Sequence, residues 1–228
     1  MATALHPYLR PYRQAFELLA DPVRAKGATA YMRNQFTFYG MPMQETRQAV
    51  KALIKKSLPP ASELHEVVRS AWAQPQREFQ YTGIWLVKAS KKDWDATLVP
   101  LVEFMITHKS WWDSVDSIAG DITGPYFMER RALARKVGGQ WNRSDNFWLQ
   151  RSSLLFLKSW RMEMDQELLT KHILNLAGSK EFFVQKAIGW VLRDHARCDP
   201  KWVRAFVNGH ADVLPALSKR EALKHIGT

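Results

Sequence analysis

Apolar residues recur along this chain at the spacing of amphipathic helices, and turn-forming residues cut the runs at short intervals. Leu64, Val67, Val68, Ala71 and Trp72 follow an i, i+3, i+4, i+7, i+8 stripe, and Leu154, Leu155, Leu157 and Trp160 follow it in part. Alternating, strand-like stretches are scarce and short. Breaks are expected at Pro59-Pro60, Gln74-Pro75, Gly124-Pro125, Gly138-Gly139, Ala177-Gly178-Ser179 and Asp199-Pro200. The pattern predicts an all-α chain of helix, short turn, helix.

A spaced self-similarity refines this. Arg77, Arg151, Lys186 and Arg220 each sit near the expected start of an apolar helix, separated by 74, 35 and 34 residues. The first gap is twice 37, and the segment Trp112–Ile118 falls inside it. Periods of this length belong to helical pairs that stack because one pair cannot cover its own apolar face. The expectation is an α-solenoid superhelix in one domain over residues 1–228.

The charge balance fits either a polyanionic partner or a solvated basic surface that only aids solubility. The 33 Lys and Arg residues outweigh 22 Asp and Glu residues, for a net charge of +11. The excess is +6 over residues 1–110 and +5 over 111–228, so it lies along the whole body and suits a surface that follows a phosphate backbone. The single cysteine, Cys198, excludes an intrachain disulfide and Cys-rich metal sites. The seven histidines show no metal-ligand spacing, so no metal is expected. No apolar run is long enough to span a bilayer, and residues 1–24 lack the core of a signal peptide. These features predict a soluble cytoplasmic protein with no membrane partner.

The segment Ile106–Ile118 carries the sharpest chemical signal. On a helix, Trp112 and Asp116 are four residues apart and share a face, so an indole and a carboxylate project together. Arg151 follows Asp116 by 35 residues and Trp190 follows Arg151 by 39, which puts them at near-equivalent repeat positions. A core tryptophan beside a solvent-facing aspartate is the ordinary reading of such a helix, and the repeat is what argues against it here.

Ser110-Trp111-Trp112-Asp113-Ser114-Val115-Asp116, then Phe147-Trp148-Leu149-Gln150-Arg151, then Phe183-Val184-Gln185-Lys186-Ala187-Ile188-Gly189-Trp190 together resemble the AlkD-type DNA alkylation-repair glycosylases. Ala30-Tyr31-Met32-Arg33-Asn34-Gln35-Phe36 resembles their first helical repeat, and the likeness covers residues 5–225. It implies HEAT-like repeats with a concave DNA-binding face, and monomeric, cofactor-free removal of alkylated purines from duplex DNA, with the protein nucleoid-associated when bound. It also implies a catalytic carboxylate at Asp116, aromatic cleft walls at Trp112 and Trp190, and a basic partner at Arg151. Tyr31 matches a DNA-facing tyrosine, and no role is carried to Trp111 or Asp113.

Arg151 has two readings, a fork that chelates a phosphate beside the lesion and a structural partner of a neighbouring carboxylate such as Asp116, and both can hold at different stages. Lys109, Lys186 and Arg220 are expected to contact the DNA backbone. The alternative from another class is a catalytically silent helical scaffold for nucleic acid or protein. The Asp116, Arg151 and Trp190 set speaks against it, because a carboxylate facing an anionic ligand repels it and needs an offsetting use. An RNA-reading repeat would need base-contacting side chains in every repeat, and no such code is present.

Overall fold

The computed structural model describes residues 4–225. Its helices are α1 (Arg10–Leu18), α2 (Pro22–Tyr31), α3 (Met43–Lys56), α4 (Leu64–Ala73), α5 (Arg77–Ala89), α6 (Leu98–Thr107) and α7 (Trp112–Ile118). They continue as α8 (Gly124–Met128), α9 (Arg131–Asn142), α10 (Phe147–Leu155), α11 (Gln166–Leu176), α12 (Phe182–His195), α13 (Pro200–Gly209) and α14 (Ala216–Leu223). Among the described residues there is no strand, only an isolated bridge between Thr37 and Gln76. The fold is all-helical, as expected. Packing divides it into two compact units, residues 1–101 and 102–228, with the division inside α6.

In the first unit, α4 buries Leu64, Val67, Val68, Ala71 and Trp72, the five residues of the predicted stripe. Arg77 is fully buried, with its guanidinium carbon 3.8 Å from the centre of the Phe36 ring. It is a core cation in this unit, not one of a row of surface anchors.

The sequence register of the repeat is cleaner than the basic anchors suggested. Helices α5, α7, α10 and α12 begin at Arg77, Trp112, Phe147 and Phe182, each 35 residues after the last. Counting from those starts, Arg77 is a first residue whereas Arg151 and Lys186 are fifth residues, so the anchors had mixed two positions. The true fifth-position series is Tyr81, Asp116, Arg151 and Lys186, and the same step reaches Glu221 on α14. A glutamine marks the preceding position three times. Gln80, Gln150 and Gln185 each donate from Nε2 to the carbonyl six residues earlier, at Gln74, Ser144 and Ser179. Each bond ties down the turn before its helix and satisfies a carbonyl that the preceding segment leaves over.

Two expected breaks do not break. Gly124-Pro125 lies in an unbroken helical run, where a π turn over Ala119–Thr123 joins α7 to α8. The wider turn absorbs the amide that Pro125 lacks. A Cβ on Gly124 would collide with the Ser159 hydroxyl and lie 2.8 Å from the Phe156 carbonyl oxygen, so the glycine serves close approach. Gly138-Gly139 sits inside α9, where a Cβ on Gly138 would stand 2.9 Å from the Phe156 ring. The predicted stripe from Leu154 to Trp160 is buried but bends from α10 into a 3-10 segment, Phe156–Glu163.

Gly189 brings α14 against α12. A Cβ there would lie 2.5 Å from the Glu221 Cβ and 2.9 Å from the Ser218 carbonyl oxygen. Gly189→Ala is expected to cost about 1–3 kcal/mol as an overpacked contact, read as a lower denaturant midpoint.

Candidate active site

The second unit builds a cleft from side chains of α7, α10, α12 and α14. Its volume is about 380 Å³, and Trp112, Asp116, Arg151, Phe182, Phe183, Lys186, Trp190, Arg193 and Glu221 line it. Each arrives for a local reason. Val115 and Ile118 are fully buried, which fixes the rotation of α7 and leaves Trp112 and Asp116 on another face, both only partly covered. On α10, the Asn146 carboxamide oxygen caps the helix by accepting from Trp148 N and Leu149 N at 2.9 and 3.3 Å, so Arg151 follows one turn later at a set angle. Val184, Ala187, Ile188 and Val191 anchor α12 and leave Lys186 and Trp190 at the cleft.

Asp116 and Arg151 meet as a bidentate pair. Arg151 Nε donates to Asp116 Oδ1 at 2.7 Å and a terminal nitrogen donates to Oδ2 at 2.9 Å. The other terminal nitrogen donates to the Phe183 carbonyl at 2.5 Å, which ties α7, α10 and α12 together through one guanidinium. The Arg151 side chain is only 5% exposed and that of Asp116 16% exposed, so the pair is shielded but the carboxylate still borders the cleft. An aromatic layer flanks the pair, with Trp111–Phe183 and Trp148–Phe183 ring centres 5.4 and 4.8 Å apart.

Burial pushes the Asp116 carboxyl above the ordinary aspartate range. Arg151, and more weakly Lys158, pull it back, while Asp113 adds to the rise. The carboxylate is thus a costly charge held in place chiefly by Arg151. Glu221, also on the cleft lining, takes Lys186 Nζ at 3.0 Å and Arg193 at 2.5 Å. Those bonds, with Lys186 foremost, hold the Glu221 carboxyl below its usual range. Three cations against two carboxylates leave the cleft lining positive. Among the described residues no group of three or more His, Cys, Asp or Glu could hold a metal ion, and no helix is long and apolar enough to cross a membrane.

A fixed carboxylate and two indoles on the lining of one positive cleft suit an anionic polymer on which a cation develops. A family model described as DNA alkylation repair enzyme matches residues 12–226. The chain belongs to the DNA alkylation repair enzyme family. A solved structure described as a predicted DNA alkylation repair enzyme from Enterococcus faecalis is similar with a TM-score of 0.85 at 30% identity, over 92% of this chain and 97% of that one. No curated protein matches the chain. Membership supports a role in the repair of alkylation damage, with DNA as the substrate.

As a member of this repair family, the chain brings together Trp112, Asp116, Arg151, Lys186 and Trp190 in one cleft. Tyr31, Lys109 and Arg220, expected only as DNA contacts, are not among the side chains that line it. Tyr31 is 71% exposed at the end of α2 in the first unit. Lys109 lies in the turn before α7 with a left-handed φ of 48°, not at a helix start. Arg220 is exposed in the last turn of the short α14, again not at a helix start. Arg151 is the partner of Asp116 in this structure, with three of its five N–H groups donating to Asp116 and Phe183. Sequence reasoning assigned no role to Phe182, Phe183, Arg193 or Glu221, which also line the cleft. Phe183 opens one of the quoted motifs, and Glu221 stands 35 residues after Lys186 in the same series as Asp116 and Arg151.

Proposed function

We propose that the protein is a monofunctional AlkD-type DNA glycosylase that releases cationic N3- or N7-alkylated purines from duplex DNA by base excision. The observation that carries this is Asp116, locked by Arg151 and set in a cleft with Trp112 and Trp190. An alkylated purine already bears a positive charge, so it leaves as a neutral base when its bond to C1′ breaks, with no acid to protonate it. The bonding pair departs with the base and the deoxyribose becomes an oxocarbenium ion. Asp116 opposes that charge directly and the indole faces oppose it through their quadrupoles. A water then adds to C1′ and gives its proton to Asp116, which leaves an abasic site.

The Arg151 pair alone would also suit a structural tie. What favours chemistry is its position, because a purely structural pair has no need to border a positively lined cleft that also holds two indoles. On this reading recognition runs through sugar and phosphate, so selection falls on weak glycosidic bonds and bulky adducts are tolerated. The test is incubation with methylated duplex DNA and chromatography of the supernatant. Free 7-methylguanine and 3-methyladenine are expected, together with abasic sites, and duplexes containing uracil or hypoxanthine should give none. Efficient release of either uncharged base would overturn the reading.

A further inference from the structure

Lys158 lies on the 3-10 segment Phe156–Glu163, outside every motif considered above. Its Nζ sits 3.6 Å from the centre of the Trp190 ring, in the range of a close cation–π contact. Trp190 lines the cleft and Lys158 does not, so the ammonium braces the indole from outside the cleft lining. Among the described residues Lys158 forms no ion pair within 4 Å, whereas Arg151, Lys186 and Arg193 each hold a carboxylate. The segment that carries it is fixed, since Phe156 and Leu157 are fully buried and Trp160 Nε1 donates to the Gly124 carbonyl at 2.9 Å.

We propose that Lys158 is a positioning residue, which holds the Trp190 indole at the angle the departing nucleotide needs and supplies a second positive field to Asp116. This rests on the glycosylase reading. The field is a matter of neighbours. The charges that act on Asp116 are those of Arg151, Lys158 and Asp113, and those that act on Lys158 are Asp194, Asp116, Arg193 and Arg151. Burial depresses the Lys158 amine, and the two carboxylates Asp194 and Asp116 push it back up, so its charge is held by the same carboxylate it steadies. Removing that charge takes away a cation that favours ionised Asp116, so the carboxyl rises further and its protonated form persists to higher pH.

The test compares wild type with Lys158→Met and Lys158→Arg, the first keeping the aliphatic stem and the second the charge. Lys158→Met is expected to lower kcat for 7-methylguanine release about tenfold, the worth of one partly desolvated cation–π contact, while KM stays within about twofold. The acid limb of kcat should move up by about half a pH unit, and Lys158→Arg should restore both. A parallel readout needs no turnover. The Trp190 indole N–H resonance, identified by its loss in Trp190→Phe, should titrate with Asp116 in free protein and shift its midpoint upward in Lys158→Met.

If wild type releases no base but that midpoint moves, the glycosylase reading falls and the Lys158 coupling stands. If wild type releases base and the midpoint stays, Lys158 is no positioning residue. A Lys158→Met enzyme as fast as wild type or faster, a rise in KM alone, or failure of Lys158→Arg to restore kcat would each overturn the proposal.

Discussion

Arg151→Met should lower the melting temperature by roughly 10 °C, because it leaves Asp116 buried without its main counter-charge. The loss expected from removing one partner of a buried ion pair is about 3–5 kcal/mol. Two features place this pair in that range. The arginine side chain is 5% exposed, so solvent cannot replace it, and its third hydrogen bond, to the Phe183 carbonyl, disappears as well. The carboxyl of Asp116, already raised by burial, would lose the group that most holds it down and rise further. Here the sign matters. A carboxyl whose folded-state value is raised contributes stability that is complete below the unfolded value, near 3.9, and is lost as pH climbs through the folded value. The Arg151→Met protein should therefore fall furthest behind wild type at neutral pH and least in acid. Combining Arg151→Met with Asp116→Asn should recover much of the loss, since no lone charge remains. Thermal melts of the three variants across pH would check this, and equal melting temperatures for wild type and Arg151→Met would show the pair to be energetically idle.

Asp116→Asn should slow base release by about 10²–10³, the loss typical when one preorganised electrostatic group is removed from a transition state. The asparagine fills the same volume and keeps one oxygen for Arg151, but its NH2 meets the other guanidinium donor and leaves that shielded cation without its counter-charge. The variant should therefore also melt lower, and release is compared on folded protein. What vanishes is the negative charge that faces the sugar as the purine leaves. The shielded setting makes that charge count for more than it would in water. Because the alkylated base is itself a good leaving group, the fall should be steeper for lesions with stronger glycosidic bonds than for 3-methyladenine.

The fold was readable where a physical period was strong. The stripe Leu64 to Trp72 became a helix with those residues buried, and Trp112 and Asp116 share a helical face as their spacing requires. Glycine misled the reading at Gly124 and Gly138, because a missing Cβ serves two ends, a turn or a tight crossing, and only the partner's position tells which. Arg77 misled it too, since a positive residue near a helix start reads as a surface anchor until the Phe36 ring that covers it is known. In the site, the residues carried by three ordered motifs met in one cleft, and what stayed hidden were contacts between distant segments. Nothing local to Phe156–Glu163 says that Lys158 will rest on Trp190, and nothing local to α14 says that Glu221 will hold two cleft cations.

The account turns on the charge of one carboxylate, and the most direct measurement is single-turnover release of 7-methylguanine by Asp116→Asn at saturating protein, with binding to the same duplex recorded in parallel. The predicted result is unchanged binding with release reduced by two to three orders of magnitude, or about 2.7–4 kcal/mol of barrier. Release at the wild-type rate from a fully bound duplex would contradict it.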